Sequence, residues 1–133
     1  MTATTILLTL LLLATNAFFV GAEFAAMSAR RSQLEPLAEG GSRGAAVALT
    51  ALRRTGILLA TSQLGITVCS VLLGAISEAA LHHALTPVVE RLGLSAVVAD
   101  AVALALALAV IVFLHVVYGE MIPKNIAIAR PER

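Results

Sequence analysis

Residues 115–124 read His-Val-Val-Tyr-Gly-Glu-Met-Ile-Pro-Lys, and this stretch decides how the chain is interpreted. It overlaps the end of an apolar run from Ala101 to Tyr118. Pro123 has no backbone N–H, and its ring clashes with the carbonyl four residues back, which belongs to Gly119. A helix interrupted there leaves free carbonyls beside the Glu120 carboxylate. Inside a membrane such backbone is tolerated only where it is buried in protein or lines a polar cavity. The stretch therefore predicts a long helix that is broken near Gly119–Pro123.

The oxygens grouped at this break predict a site for a hard cation. Carbonyl and carboxylate oxygens are the ligands that suit Mg²⁺ or Ca²⁺. Two plainer interpretations remain open. In the first, Pro123 ends the helix at the membrane interface and Lys124 reaches out to water. In the second, Lys124 pairs with Glu120 one helical turn away, and this ion pair withdraws the carboxylate from ion binding.

The composition indicates a membrane protein. Of the 133 residues, 59% are hydrophobic and 13% are charged, whereas a soluble domain has about 45–50% apolar and about 25% charged residues. The net charge of +1 and the lack of Trp argue against nucleic-acid binding. The single cysteine, Cys69, lies in an apolar segment and is expected to be a small buried hydrophobe. No plausible nucleophile–base pair supports an enzyme.

Three apolar runs predict an all-α membrane protein with transmembrane helices at about 4–29, 55–77 and 96–119. No Lys or Arg precedes the first run, which argues against a signal peptide. Connections rich in Lys and Arg stay in the cytoplasm. Five arginines flank the first connection, namely Arg30, Arg31, Arg43, Arg53 and Arg54. We therefore expect the N-terminus outside and the C-terminus in the cytoplasm.

Polar groups interrupt two of these runs. Gln63, Thr67 and Ser70 share one face of the second helix. Such a face ordinarily mediates helix packing. The alternative is that its oxygens contribute to the ion site, with Gly65 allowing another backbone to approach closely. Glu23, near the end of the first helix, either reaches the headgroups or faces a polar partner inside the protein.

Three strings of the sequence occur in an order that is typical of one family. They are residues 16–34, which begin Asn-Ala-Phe-Phe-Val-Gly-Ala-Glu, residues 59–67, Leu-Ala-Thr-Ser-Gln-Leu-Gly-Ile-Thr, and residues 119–124, Gly-Glu-Met-Ile-Pro-Lys. The last string resembles a Gly-Glu-x-x-Pro-Lys signature. Together they resemble the cyclin M/CorC family, the hemolysin-C-like magnesium transporters, over nearly the whole chain.

This resemblance implies that residues 1–133 are a homodimeric transmembrane domain in the lipid bilayer of a bacterial plasma membrane. The implied activity is Mg²⁺ export coupled to the inward movement of Na⁺, so the expected ion is Mg²⁺, with Na⁺ as the alternative. Family members also have a belt-like juxtamembrane helix and continue into cytosolic nucleotide-binding domains. We expect this chain to lack both and to be part of a longer protein.

Carried over to this sequence, the resemblance implies three metal ligands: Ser28, the Gly119 carbonyl and the Glu120 carboxylate. Many relatives have Asn directly after the glycine of the second helix, where this chain has Ile66. That ligand is then replaced by one of three neighbouring oxygens, or lost; the three are Ser62, Gln63 and Thr67. The alternative function is a non-transporting membrane anchor or scaffold that serves a cytosolic partner or regulatory domain.

Overall fold

A computed structural model of the chain describes residues 2–129, and every regular element within that range is helical. Seven α-helices alternate in places with two π-helical segments. The α-helices are α1 (Ala3–Ser28), α2 (Arg31–Glu39), α3 (Arg43–Leu52), α4 (Thr55–Leu73), α5 (Ala79–Glu90), α6 (Ala96–Leu114) and α7 (Ile122–Ala129). The first π segment is Gly74–Glu78 and the second is His115–Met121.

Three helical stretches within residues 2–129 are long and apolar enough to cross a membrane: Ala3–Ser28, Thr55–Glu90 and Ala96–Ala129. This confirms the predicted all-α membrane fold with three spans. The second and third stretches continue beyond their predicted ends at residues 77 and 119. Hydropathy falls there, but the following residues are mainly Ala, Leu, Ile and other helix-compatible types. The backbone therefore stays helical after the apolar pattern has ended.

The predicted break near Gly119–Pro123 is a change of helix type instead. From His115 to Met121 the chain is π-helical, and the Ile122 N–H bonds the carbonyl of Val117, five residues back. Pro123 then lies in the first turn of α7, where a missing N–H is tolerated best. The wider turn accommodates the proline without interrupting the helix.

The arginine-rich connection after α1 contains two short helices. The backbone is extended at Ala29 and Arg30, so α2 is a separate helix and does not continue α1. Pro36 lies inside α2. Gly41 turns the chain from α2 into α3 with a φ of 91°, a left-handed conformation that favours glycine.

The α5–α6 hairpin packs through small residues. Ala99, Ala103 and Ala107 on one face of α6 are completely buried. Val89 of α5 packs with the first two of these alanines. Small side chains let membrane helices approach closely, and dispersion contacts then hold them together. Gly93 makes the turn between the two helices with a φ of 77°.

The α1 and α4 helices pack tightly where Gly65 meets Phe19. A Cβ atom added at Gly65 would lie 2.5 Å from two carbon atoms of the Phe19 ring. No side chain fits there unless the ring moves. This contact places the polar residues of α4 next to the second half of α1.

We expect Gly65→Ala to lower the thermal unfolding midpoint of the chain in detergent, because the new methyl group displaces the Phe19 ring. Overpacking of this kind costs about 1–3 kcal/mol. Circular dichroism would follow the unfolding. Gly56→Ala is the matched control, since nothing lies within 4 Å of a Cβ at that position of α4. Phe19→Leu should partly restore the stability of Gly65→Ala, and equal midpoints for the two alanine variants would contradict the contact.

Candidate cation site

A buried carboxylate links α1 to α4. Glu23 is only 8% exposed, and its Oε1 accepts a hydrogen bond of 2.7 Å from Gln63 Nε2. In a medium of low dielectric such a charge-assisted bond is strong, and an unpaired carboxylate would be costly. Glu23 therefore faces a partner inside the protein, and the headgroup alternative is excluded for this geometry.

Beside this pair lies a cavity of about 280 Å³ between α1, α4 and the third span. Its lining combines charged and amide side chains with apolar ones: Glu23, Gln63, Glu120, Lys124, Val20, Phe24 and Ile66. Carboxylates from two helices and one amide thus face the same space. No group of three or more His, Cys, Asp or Glu side chains in the described part of the chain is arranged to hold a metal ion.

Glu120 lies in the second π segment and is linked through His115 to α4. Its Oε1 is 3.4 Å from His115 Nε2, and the same nitrogen is 3.1 Å from Ser70 Oγ. The ring nitrogen therefore lies between the Ser70 hydroxyl of α4 and the Glu120 carboxylate. His115 thus lies against the carboxylate at the edge of the cavity.

Lys124 does not form the ion pair with Glu120 that the sequence left open. Its Nζ lies 4.6 Å from the centre of the Phe24 ring, a cation–π contact. The basic side chain nearest to the Glu120 carboxylate is His115, whose Nε2 lies 3.4 Å from Oε1. The carboxylate is therefore not neutralised by the neighbouring lysine, although both side chains line the same cavity.

The carbonyl of Gly119 is bonded by a side chain of another helix. Asn16 of α1 is 1% exposed, and its Nδ2 donates a 2.9 Å hydrogen bond to that carbonyl. In a regular α-helix the donor would be the N–H of residue 123, which proline lacks. A Cβ on Gly119 would lie 3.1 Å from Asn16 Nδ2 and 3.0 Å from a His115 ring carbon. Glycine is therefore the residue that lets the amide approach.

The structure brings some of the predicted ligands together and separates others. Gln63 and Glu120 line the cavity, and Gly119 is buried against Asn16. Thr67 is exposed, and its hydroxyl donates to the carbonyl of Gln63 in its own helix, as β-branched hydroxyl residues often do. The predicted polar face of α4 is thus only partly turned toward the site.

Two further predicted ligands, Ser28 and Ser62, are not among the residues that line the cavity. Ser28 is the last residue of α1 and is half-buried. Ser62 is 2% exposed but precedes Gln63 by one residue, and consecutive residues of a helix point in different directions. Their roles as ligands stay predictions.

Sequence reasoning gave Asn16 and His115 no role in the site. Asn16 is an isolated polar residue in an apolar run, and its spacing of seven residues from Glu23 is the signal that would have found it. Seven residues are nearly two helical turns, so both side chains lie on the same face. His115 could be paired with Ser70 and Glu120 only once the helices were placed.

The fold and the site together define a helical membrane domain with carboxylates between its transmembrane helices. The chain matches the Cyclin M transmembrane N-terminal domain over residues 7–133 and belongs to this family. The resemblance seen in the sequence is thereby confirmed. No solved structure matches the chain.

Curated relatives are bacterial. The chain is 50% identical over 128 residues to the uncharacterized protein Rv1841c of Mycobacterium tuberculosis (strain ATCC 25618 / H37Rv), covering 96% of this chain and 36% of that protein. It is 43% identical over 122 residues to the UPF0053 protein YhdT of Bacillus subtilis (strain 168), covering 92% and 26% respectively. The chain therefore spans 36% or less of the length of these two relatives.

We expect Glu23 and Gln63 to be energetically coupled. In a double-mutant cycle of Glu23→Ala and Gln63→Ala, measured by unfolding in mixed micelles, the coupling should be about 1 kcal/mol, within the range known for polar pairs in membranes. The matched control replaces Gln63→Ala by Thr61→Ala, since the Thr61 hydroxyl bonds only its own helix, at Ile57. That second cycle should be additive. Additivity in both cycles would show that the Glu23–Gln63 bond contributes nothing.

Proposed function

We propose that this chain is an ion-transport domain that exports Mg²⁺ in exchange for Na⁺. The observation that carries the proposal is that Glu23 and Glu120, from two different transmembrane stretches, line one cavity together with the Gln63 amide. Carboxylates within a membrane-spanning segment are costly, and they commonly mark ion pathways. Membership in the cyclin M family is consistent with this reading.

The donor chemistry suits a hard cation that keeps part of its water. Mg²⁺ takes about six oxygens at roughly 2.0–2.1 Å and usually keeps several waters. The cavity of about 280 Å³ offers two carboxylates and an amide oxygen, and the remaining positions would be filled by water. The proposed ligands are Glu120, Glu23 and Gln63. The Gly119 carbonyl, directly before Glu120 in the sequence, is the fourth.

The charges around the cavity suggest how two ions could alternate. Glu23 and Glu120 carry two negative charges, and Lys124 carries one positive charge at the same cavity. A bound Na⁺ would balance these charges while Lys124 stays in place. A bound Mg²⁺ would balance the two carboxylates alone, so its binding would favour movement of Lys124 away from them. In this proposal the lysine couples the cavity to α7, which carries it.

The second π segment supplies the element that can change shape. Segments of π-helix are often found at functional sites, where they mark local irregularity in a helix. Glu120 lies in this segment, and Pro123 follows it directly. A shift between the π-helical and α-helical forms would rotate Glu120 relative to Glu23. Such a rotation would open the cavity to alternate sides of the membrane.

Homodimer formation and regulation by cytosolic nucleotide-binding domains belong to the same proposal. The relatives are much longer than the stretch they share with this chain, which leaves room for such domains in them. The same length difference favours a second candidate, in which the chain anchors a cytosolic part without transporting an ion. The two candidates differ in whether the membrane part binds Mg²⁺.

Calorimetry of the purified chain in detergent would test the transport proposal. We expect saturable Mg²⁺ binding, and we expect Glu120→Gln and Glu23→Gln each to weaken it by about tenfold or more, which corresponds to about 1.4 kcal/mol. Glu90→Gln is the matched control. It removes the same charge, but Glu90 is exposed at the end of α5. Na⁺ should compete with Mg²⁺ in the same titration.

Proteoliposomes would then test the direction and the coupling. An inward Na⁺ gradient should drive Mg²⁺ outward in vesicles that contain the wild-type chain, and Glu120→Gln should abolish this flux. If wild type and all three variants bind no Mg²⁺, or bind it equally, the cavity is not a cation site and the anchor becomes the better description.

A further inference from the structure

The polar residues buried on α1 form a regular row. The buried residues of this helix are Thr9, Asn16, Val20 and Glu23, and the three polar ones recur every seventh position. Their exposures are 8%, 1% and 8% in chain order. Each step along the helix is ~10.5 Å, so the row extends over ~21 Å of a hydrocarbon core ~30 Å thick.

Each member of the row meets a polar group of another element. Thr9 Oγ1 lies 2.7 Å from the hydroxyl of Ser77, which is completely buried in the first π segment. Asn16 contacts the Gly119 carbonyl of the second π segment. Glu23 accepts its bond from Gln63. Two of the three contacts therefore fall on the two places where the helices depart from α geometry.

Asn16 has a hydrogen-bonding atom left over. Its Nδ2 is used by Gly119, but its Oδ1 is fully buried and has no hydrogen-bond partner in the described part of the chain. A buried acceptor without a partner costs about 1–3 kcal/mol. Buried polar atoms are nearly always satisfied, by protein, by water or by an ion. An amide oxygen is also a hard ligand of the kind that Na⁺ and Mg²⁺ accept.

We propose that this row is the route of the cation through the membrane and that Asn16 Oδ1 is a coordinating oxygen at its centre. The cavity beside Glu23 and Glu120 lies at one end of the route. The Thr9–Ser77 pair closes the other end. The inference deepens the proposed function and rests on it, because it adds a second binding position for the same partly hydrated hard cation.

The opposing explanation is that the row only joins helices. Interhelical hydrogen bonds are common in membrane proteins, and they contribute about 0.6 kcal/mol on average. That explanation accounts for the Thr9–Ser77 bond and for the Asn16 amide nitrogen. It leaves Asn16 Oδ1 without a function. The two explanations differ in a measurable property, namely whether water and cations reach the row.

Cysteine accessibility measures that property without relying on Mg²⁺ binding. The only cysteine of the chain, Cys69, is first removed as Cys69→Ala. Thr9→Cys, Asn16→Cys and Ser77→Cys then probe the row in lipid nanodiscs. Thr15→Cys is the matched control, because Thr15 is adjacent to Asn16 but half-buried, and its hydroxyl bonds the carbonyl of Leu11 in its own helix. The probes are Ag⁺ and a positively charged methanethiosulfonate.

Both probes react with a hydrated thiolate and hardly with a thiol in apolar packing. We expect the row cysteines to react about tenfold or more faster than the control, given this dependence on the thiolate. Excess Mg²⁺ or Na⁺ should slow the reaction at positions 9 and 77 when Asn16 is present but not when Asn16→Ala is added, and the more effective of the two identifies the ion that binds at Asn16. Size-exclusion chromatography confirms that each variant folds. Thr9→Cys and Ser77→Cys are close in shape to the native residues and keep the test decisive if Asn16→Cys misfolds.

Reaction rates equal to that of Thr15→Cys would overturn the route, even if Mg²⁺ still binds at Glu23 and Glu120. Fast reaction at position 9 or 77 together with cation protection that depends on Asn16 supports it, and fast reaction without that protection would overturn the role of Asn16 Oδ1. The row cysteines could also react fast while Glu23→Gln and Glu120→Gln bind Mg²⁺ as the wild type does. That result would support the route and contradict the proposal that the cavity is a cation site. The two proposals therefore fail separately.

Discussion

Pro123 leaves the carbonyl of Gly119 without its usual donor, and this carbonyl lies in a helix that crosses the membrane. Lipid tails offer no hydrogen-bond donor, so a carbonyl in a membrane helix depends on the protein for one. Asn16 provides it at 2.9 Å. The bond requires glycine on one helix, an amide on the other and a close approach between them. The position of α1 against the third span follows from that requirement.

Once α1 is placed in this way, the candidate site follows from helical geometry. Glu23 lies nearly two turns after Asn16, and Glu120 directly follows Gly119. The same contact that satisfies the carbonyl thus brings both carboxylates to one cavity. Gln63 bonds the first carboxylate and His115 lies against the second. Each acidic group has a polar neighbour, and neither forms an ion pair with Lys124.

Some of this organisation could be read from the sequence and some could not. The three spans and the irregularity before Pro123, where Glu120 lies, were predicted, because hydropathy and proline chemistry act locally. The continuation of the second span to Glu90 was missed, since hydropathy reports the preferred solvent of a residue and not its backbone conformation. Thr67 was grouped with Gln63 on one face, and its hydroxyl donates to the carbonyl of Gln63 in its own helix; its role as a ligand stays a prediction. Whether such a hydroxyl also reaches another element depends on which neighbours its helix has.

By itself the sequence determined that this chain is a helical membrane domain with three spans, because apolar runs of that length must satisfy their backbone groups within the helix. It also determined that the third span is irregular before Pro123, because proline lacks an N–H. Only the tertiary structure decided that the irregularity is a π segment, that Asn16 satisfies Gly119 and that Glu23 shares a cavity with Glu120. The physical reason is that these contacts join residues far apart in the chain, and their energy depends on helix rotation and spacing that packing alone sets.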